Sequence, residues 1–261
     1  MKPRSPHPGE TPADPPVARA PIPPPGARVP VPASVRAWAG VPLVWVALAL
    51  VAAAVLGLLA GTPAWTQADL RLADLVHELR RPWLTAVAVA FRVAFLPPVV
   101  ITVCAVTVIL LLLARRYGGA LLTALVVTSG WATNSLFKVL FDRPRPAPER
   151  QLVPEPAQGS FPSGHVAVTL ALAIVWCLLS IGSHRFRVAV SVGAVLVAAQ
   201  AFARVYLGAH HPTDVVGSLL VVGAAATAVI VLCGPLAVRL DRAAAADREA
   251  GQPGPDPPHG S

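Results

Sequence analysis

The sequence predicts an all-α, polytopic membrane protein: a bundle of six transmembrane helices, with one or two interfacial helices between spans one and two. Three observations carry that expectation. The 261 residues are 55% hydrophobic and only 13% charged, too apolar for an ordinary soluble domain. The apolar residues gather into runs that approach or exceed the roughly 18 that mark a membrane span. Two pairs of runs are joined by tight basic turns, "RRY" and "SHRFR", the pattern of cytoplasmic loops.

From the N-terminus, residues 1–37 are rich in Pro with scattered Arg and hold almost no large apolar side chain. Such a segment cannot bury a core, and a disordered, partly polyproline cytoplasmic tail is expected. The first apolar run, 41–60, is long enough to span and reads as a signal anchor. In 66–81, Leu72, Leu75, Val76 and Leu79 recur at helical spacing among Asp69, Arg71, Asp74, Glu78 and Arg80. An amphipathic interfacial helix is expected there, with Thr66 and Asp69 as its N-cap signal. Residues 83–95 are apolar but short, interrupted by Arg92 and followed by Pro97-Pro98. They form either a second interfacial helix or a slanted lead-in to span two. Spans two to six are expected at 96–114, 117–137, 164–182, 188–207 and 214–236; a span of this length covers roughly 28 Å at about 1.5 Å per residue. Both termini are then cytoplasmic. Residues 241–261 read as a second disordered tail, leaving 38–240 as one membrane domain.

The formal net charge is +8. No soluble basic domain exists to take nucleic acid, so this balance fits anionic lipid and membrane topology. Cys104, Cys177 and Cys233 all lie inside apolar runs and form no CxxC pair, so they read as small buried hydrophobes.

The polar exceptions fall at three points, which the topology puts on the outer side. Lys138 and Arg145-Pro146 leave span three, Pro162-Ser163-Gly164-His165 enters span four, and Arg204, His210 and Asp214 cross the turn between spans five and six. Lys and Arg near span ends can simply snorkel to the headgroups. Burying an arginine in a span, however, costs about 2.5–3.5 kcal/mol, and three such coincidences on one membrane face point to one site. Lys138, Arg145 and Arg204 supply charge and N–H donors, with the guanidinium fork matched to phosphate oxygens. Ser163 adds a hydroxyl, and Gly164 puts a backbone N–H at a helix N-terminus, a favoured anion site. Of the two histidines, His165 and His210, one can attack phosphorus while the other protonates the leaving oxygen. Asp214 can hold Nδ1–H of His210 and leave Nε2 free to attack. Gly208 is a plausible helix stop beyond Arg204, and Pro212 suits the first turn of span six.

These motifs read "KVLFDRPRP" (138–146), "PSGH" (162–165) and "ARVYLGAHHPTD" (203–214). In order and spacing they resemble the K-x6-R-P, P-S-G-H and S-R-x5-H-x3-D signature of the type 2 phosphatidic acid phosphatase superfamily. That superfamily belongs to a wider clan with bacterial acid phosphatases and vanadium haloperoxidases. The likeness covers about residues 41–236. It departs at Ala203, where the family pattern has serine, at the cost of one possible hydrogen bond. The spacing selects His210 over His211, which then shapes the turn or the pocket rim.

The resemblance implies that Lys138, Arg145, Arg204, Ser163 and Gly164 hold phosphate. It implies that His210 forms a phosphohistidine, oriented by Asp214, and that His165 serves as acid and then base. It implies no metal and no cofactor, the cations doing the charge work of a metal. A site opening between helices at the membrane surface makes lipid phosphates the expected substrates: phosphatidic acid, phosphatidylglycerol phosphate or a prenyl diphosphate. A lipid-linked phosphotransferase would share every residue. A non-catalytic lipid or anion transporter would be marked by repeats and broken helices, which the sequence lacks. A catalytically dead scaffold is disfavoured by the intact motif residues.

Overall fold

The computed structural model describes residues 33–156 and 159–250, and among them every regular element is helical. The order is α1 (Ala33–Ala60), α2 (Pro63–His77), α3 (Pro82–Ala94), α4 (Pro97–Leu113), α5 (Tyr117–Phe141), α6 (Gly164–Ser180), α7 (Arg185–Tyr206) and α8 (Pro212–Ala250), with a 3-10 turn at Pro148–Arg150. The expected N-terminal tail lies outside the described residues up to 32, and residues 33–37 already belong to α1.

The core is a three-way contact of α5, α6 and α8, where Val126 meets Ala167, Ala171, Val222 and Ala226. Small residues let these backbones approach, as in membrane helix pairs generally. At Gly118 the approach is so close that a Cβ would collide with the Ala237 carbonyl oxygen of α8. Gly118 N–H donates to Asp241 Oδ1 at 2.7 Å, tying the same two helix ends together. Helix α1 closes over α5 and α8 through Ala53, Phe137 and Val221. Many large apolar side chains remain exposed, Val44, Trp45, Val51 and Leu58 on α1 among them. That is the surface a helix presents to hydrocarbon rather than water.

Four helices are long and apolar enough to cross a membrane: residues 42–60, 117–141, 185–206 and 212–248. Helices α3 and α4 qualify as a fifth only when taken together across a 53° bend. The break falls at Leu96, where Pro97 opens α4, since a proline has no N–H to continue a helix and clashes with the preceding turn. Helix α6 is apolar but has 17 residues. The structure thus gives a multi-pass membrane protein with four to five candidate spans, and the expected count of six is not reached by length.

Three further local expectations change. Helix α2 begins earlier than Thr66: Thr62 is its N-cap, its hydroxyl accepting from Trp65 N–H. Pro63 fixes that start by supplying the first helical φ. Asp69 is therefore no capping residue; it is buried, together with Ala73, on the face turned to the bundle. Leu72 and Leu75 of α2, and Leu79 just past its end, are exposed, which leaves this apolar stripe for the membrane. Finally, residues 241–250, expected as tail, continue α8, because the Ala-rich run is strongly helix-forming. Residues 251–261 lie outside the described residues.

Candidate active site

One end of the bundle gathers all three motifs. Helices α2 and α3 pack against the ends of α7 and α8 there, Ala73 against Val205 and Val215, and Ala88 against Ala203, Tyr206 and Leu207. Residues 142–156 and 159–163 cross the same end, pinned by Leu152 N–H to the Leu207 carbonyl at 2.9 Å and by Ser160 N–H to the Arg143 carbonyl at 2.8 Å. Gly208 sits at φ +71 just beyond α7. A Cβ there would collide with the Arg150 carbonyl oxygen, so glycine is required both to end α7 and to let this segment lie against it.

That turn carries His210 between two partners. Its Nδ1 faces Asp214 Oδ2 at 3.4 Å and its Nε2 faces Arg145 Nη1 at 3.1 Å. A guanidinium has only donors, so Nε2 accepts and Nδ1 carries the proton toward the carboxylate. Burial pushes the imidazole well below its ordinary pKa; Asp214 opposes that, while Arg145 and Arg204 add to it. His210 rests neutral.

Asp214 is held on every side. Ser160 Oγ donates to Oδ2 at 2.5 Å, His211 N–H to Oδ2 at 2.9 Å and Arg143 Nη1 to Oδ1 at 2.8 Å. The other arm of Arg143 reaches Asp69 Oδ2 at 2.9 Å. Asp69 Oδ1 in turn accepts from Thr213 N–H and Oγ1, at 3.1 and 2.7 Å. A buried Asp69–Arg143–Asp214 chain therefore ties α2 to the first turn of α8.

The other predicted residues border the same space. Lys138 Nζ donates to the Gly159 carbonyl, and its stem passes 3.9 Å from where a Gly164 Cβ would be. Ser163 caps α6 without using its hydroxyl. Arg204 is fully buried, and its Nη2 donates to Glu155 Oε1 at 2.7 Å. Among the described residues eight buried side-chain polar atoms have no partner, and four of them face this space: Ser163 Oγ, His165 Nε2, and Nε and Nη1 of Arg204. Buried polar atoms are nearly always paired, so this set marks a place for a ligand with several acceptor oxygens. A cavity of about 520 Å³ opens beside it, lined by Lys138, Gly164 and His165 at one end and by apolar residues of α4, α5 and α6 such as Val100, Ile101 and Val168 along its length. Among the described residues, no three His, Cys, Asp or Glu side chains are grouped to hold a metal ion.

A family model for the PAP2 superfamily matches residues 117–239. The PAP2 match spans α5 to most of α8, includes all three motifs, and supports a phosphatase. No curated protein matches the sequence. Among solved structures, a transmembrane PAP2-type phosphatidylglycerolphosphate phosphatase from Bacillus subtilis has a similar fold, at TM-score 0.58 and 21% identity over 80% of this chain and 98% of that one. LpxE from Aquifex aeolicus matches at TM-score 0.48 and 24% identity, over 65% of this chain and 94% of that one.

Five residues at this site have no place in the sequence motifs. Arg143 stood in the crowded "FDRPRP" stretch, but nothing there separates its task from that of Arg145. Asp69 read as a helix cap. Arg92 had a usable signal, an arginine inside an apolar run; its Nε donates to Glu155 Oε1 at 3.0 Å. Glu155 and Ser160 lie in a segment without periodicity, and only tertiary contact reveals them. Burial pushes the Glu155 carboxyl up, but Arg204, Arg92 and Arg145 outweigh it and hold it at about 2. His211 lines a separate, smaller basic pocket with Arg143 and Arg145.

Proposed function

We propose that the protein is a membrane-embedded lipid phosphatase that hydrolyses a phosphomonoester or terminal diphosphate bond through a phosphohistidine, without a metal. The observation that carries this reading is the set of unpartnered buried atoms of Ser163, His165 and Arg204, beside a neutral His210 and an apolar cavity leading to Lys138. The phosphate would take donors from Arg204, Arg145, Lys138, Ser163 Oγ and the Gly164 N–H, which stabilise the charge on its equatorial oxygens. The lipid tail would occupy the cavity between α4, α5 and α6.

The chemistry balances in two steps. The Nε2 lone pair of His210 forms a bond to phosphorus as the bond to the leaving oxygen breaks. His165 Nε2 gives that oxygen its proton. Water then attacks phosphorus, loses a proton to His165, and displaces His210, which regains its lone pair as phosphate departs. Asp214, fixed by Arg143, stabilises the imidazolium character that His210 gains in each transition state. Phosphatidic acid, phosphatidylglycerol phosphate and prenyl diphosphates all present this bond at interface depth. The basic turns between α4 and α5 and between α6 and α7 support a site on the outer face of a bacterial plasma membrane, with both termini cytoplasmic.

The test is phosphate release by purified protein across lipid monophosphates and prenyl diphosphates, with product analysis in ¹⁸O-water. Wild type should release phosphate carrying one water-derived oxygen, and His210→Ala should lose about 10⁴-fold or more. Phosphoryl transfer to an added alcohol in place of water would make the protein a transferase. Turnover that vanishes with EDTA and returns with Mg²⁺ would sink the metal-free mechanism.

A further inference from the structure

The cations assigned to phosphate are not empty-handed. Glu155 Oε1 accepts from Arg204 Nη2 at 2.7 Å and from Arg92 Nε at 3.0 Å, while Oε2 stands 4.0 Å from Arg145 Nη1. A carboxylate presents to a guanidinium the same pair of oxygens that a phosphoryl group does. Glu155 thus occupies places on Arg204 and Arg145 that a substrate phosphate would need, while Nε and Nη1 of Arg204 stay unpartnered.

We propose that Glu155 is a specificity-determining residue: a built-in monoanion that only a more highly charged phosphate can displace. This rests on the lipid phosphatase reading above. Exchanging one monoanion for another on the same guanidinium gains no charge interaction, whereas a phosphomonoester or terminal diphosphate brings nearly two charges. The ligands excluded are phosphodiester lipids, whose monoanionic headgroups surround the protein at high concentration. Without Glu155 they would fill a cationic pocket that opens to the bilayer. Discrimination of this kind comes from a penalty on the wrong ligand as much as from contacts with the right one.

The surroundings fit a carboxylate that can move. Glu155 lies between Leu152 and Gly159, whose backbones are held by Leu207 and Lys138, and its own N–H donates to the side chain of Gln151 at 3.0 Å. Arg92 comes from α3, outside the PAP2 match, and its side chain is 25% exposed. It can keep Glu155 charged and paired after Arg204 is released. The three guanidiniums hold the carboxyl ionised throughout the physiological range.

The experiment reads binding, not turnover. Inorganic vanadate is titrated calorimetrically into protein in phosphatidylcholine nanodiscs, with or without phosphatidylglycerol. Wild-type affinity should be the same in both lipids. Glu155→Gln, folded by its thermal transition, should bind vanadate at least as tightly as wild type in phosphatidylcholine and about tenfold more weakly once phosphatidylglycerol is present. Glu155→Asp should restore indifference to the lipid. Weaker binding by Glu155→Gln in both lipids would show a carboxylate that merely organises Arg204, and would overturn the proposal. So would a wild type that itself loses affinity in phosphatidylglycerol, a comparison that stands even if Glu155→Gln does not fold. Failure of the phosphatase reading would look different: no vanadate binding sensitive to Arg204→Gln and no hydrolysis of any lipid phosphate.

Discussion

Arg143 illustrates how much of this site depends on a residue that touches no reacting atom. It bridges two buried carboxylates, Asp69 and Asp214. Removing one partner of a buried ion pair costs about 3–5 kcal/mol because it leaves charge uncompensated. Arg143→Ala should therefore lower the thermal midpoint sharply and reduce kcat more than it raises KM, since Asp214 would no longer be fixed behind His210. Arg143→Lys should recover part of both, as measured by unfolding and steady-state kinetics in detergent. His210 and His211 make a second expectation. Burial lowers both imidazoles from their ordinary pKa. The stability of holding them neutral is complete above the unfolded value near 6.5 and is lost as pH falls below it, because the unfolded chain then takes up protons that the folded one refuses. Glu155, depressed to about 2, keeps its contribution until pH drops below the ordinary carboxylate range. The free energy of unfolding should thus fall below about pH 6.5 by up to about 1.4 kcal/mol per pH unit for each histidine, read as a thermal midpoint that drops between pH 7.5 and 5, and His210→Gln should flatten that slope. The eight motif residues could be picked out in the sequence because they are polar groups or glycine at fixed spacings beside the ends of apolar runs. Arg143, Asp69 and Glu155 could not, because their partners are about 50 to 145 positions away and set by packing alone.

Among elements, the legible ones were those with a strong local cause. Gly208 ends α7 and Pro212 opens α8, as their backbone limits require. Helix α2 was recognisable by its period, and its exposed Leu72 and Leu75 agree with the interfacial helix expected there; the inward turn of Asp69 was not legible. A sequence does not say which of two apolar media, protein or lipid, a short apolar helix will meet. The same ambiguity made α3 either interfacial or a lead-in, and the observed 53° bend at Leu96 makes it a separate arm of a broken pair. Phe95, at the end of α3, and residues of α4, α5 and α6 line the cavity proposed for the lipid tail, so blocking it should separate lipid from water-soluble substrates. Val168→Trp should raise KM for a long-chain lipid phosphate at least about tenfold while leaving p-nitrophenyl phosphate hydrolysis nearly unchanged. Equal losses on both would place the lipid tail elsewhere.

At the scale of the whole molecule, composition sufficed for the class, since a chain this apolar has few alternatives to a helical membrane bundle. The span count was less secure, because an apolar run long enough to cross is divided by prolines in one place and shortened to 17 residues in another. Orientation rests on the basic turns and can be measured. In a background lacking the three cysteines, Glu149→Cys beside the site should react with a membrane-impermeant maleimide in intact cells. Ser183→Cys, in the turn between α6 and α7, should react only after permeabilisation; the reverse pattern would turn the protein over. Helix α8 has a consequence of its own. Its 39 residues measure about 58 Å along the axis at 1.5 Å per residue, against roughly 30 Å of hydrocarbon. Asp241 is held at the bundle end by Gly118 of α5, and the surplus beyond it bears Arg242, Asp247 and Arg248, charges that belong in water, so that a fluorophore attached at Arg248 should sense water and act as a ruler from the bilayer surface.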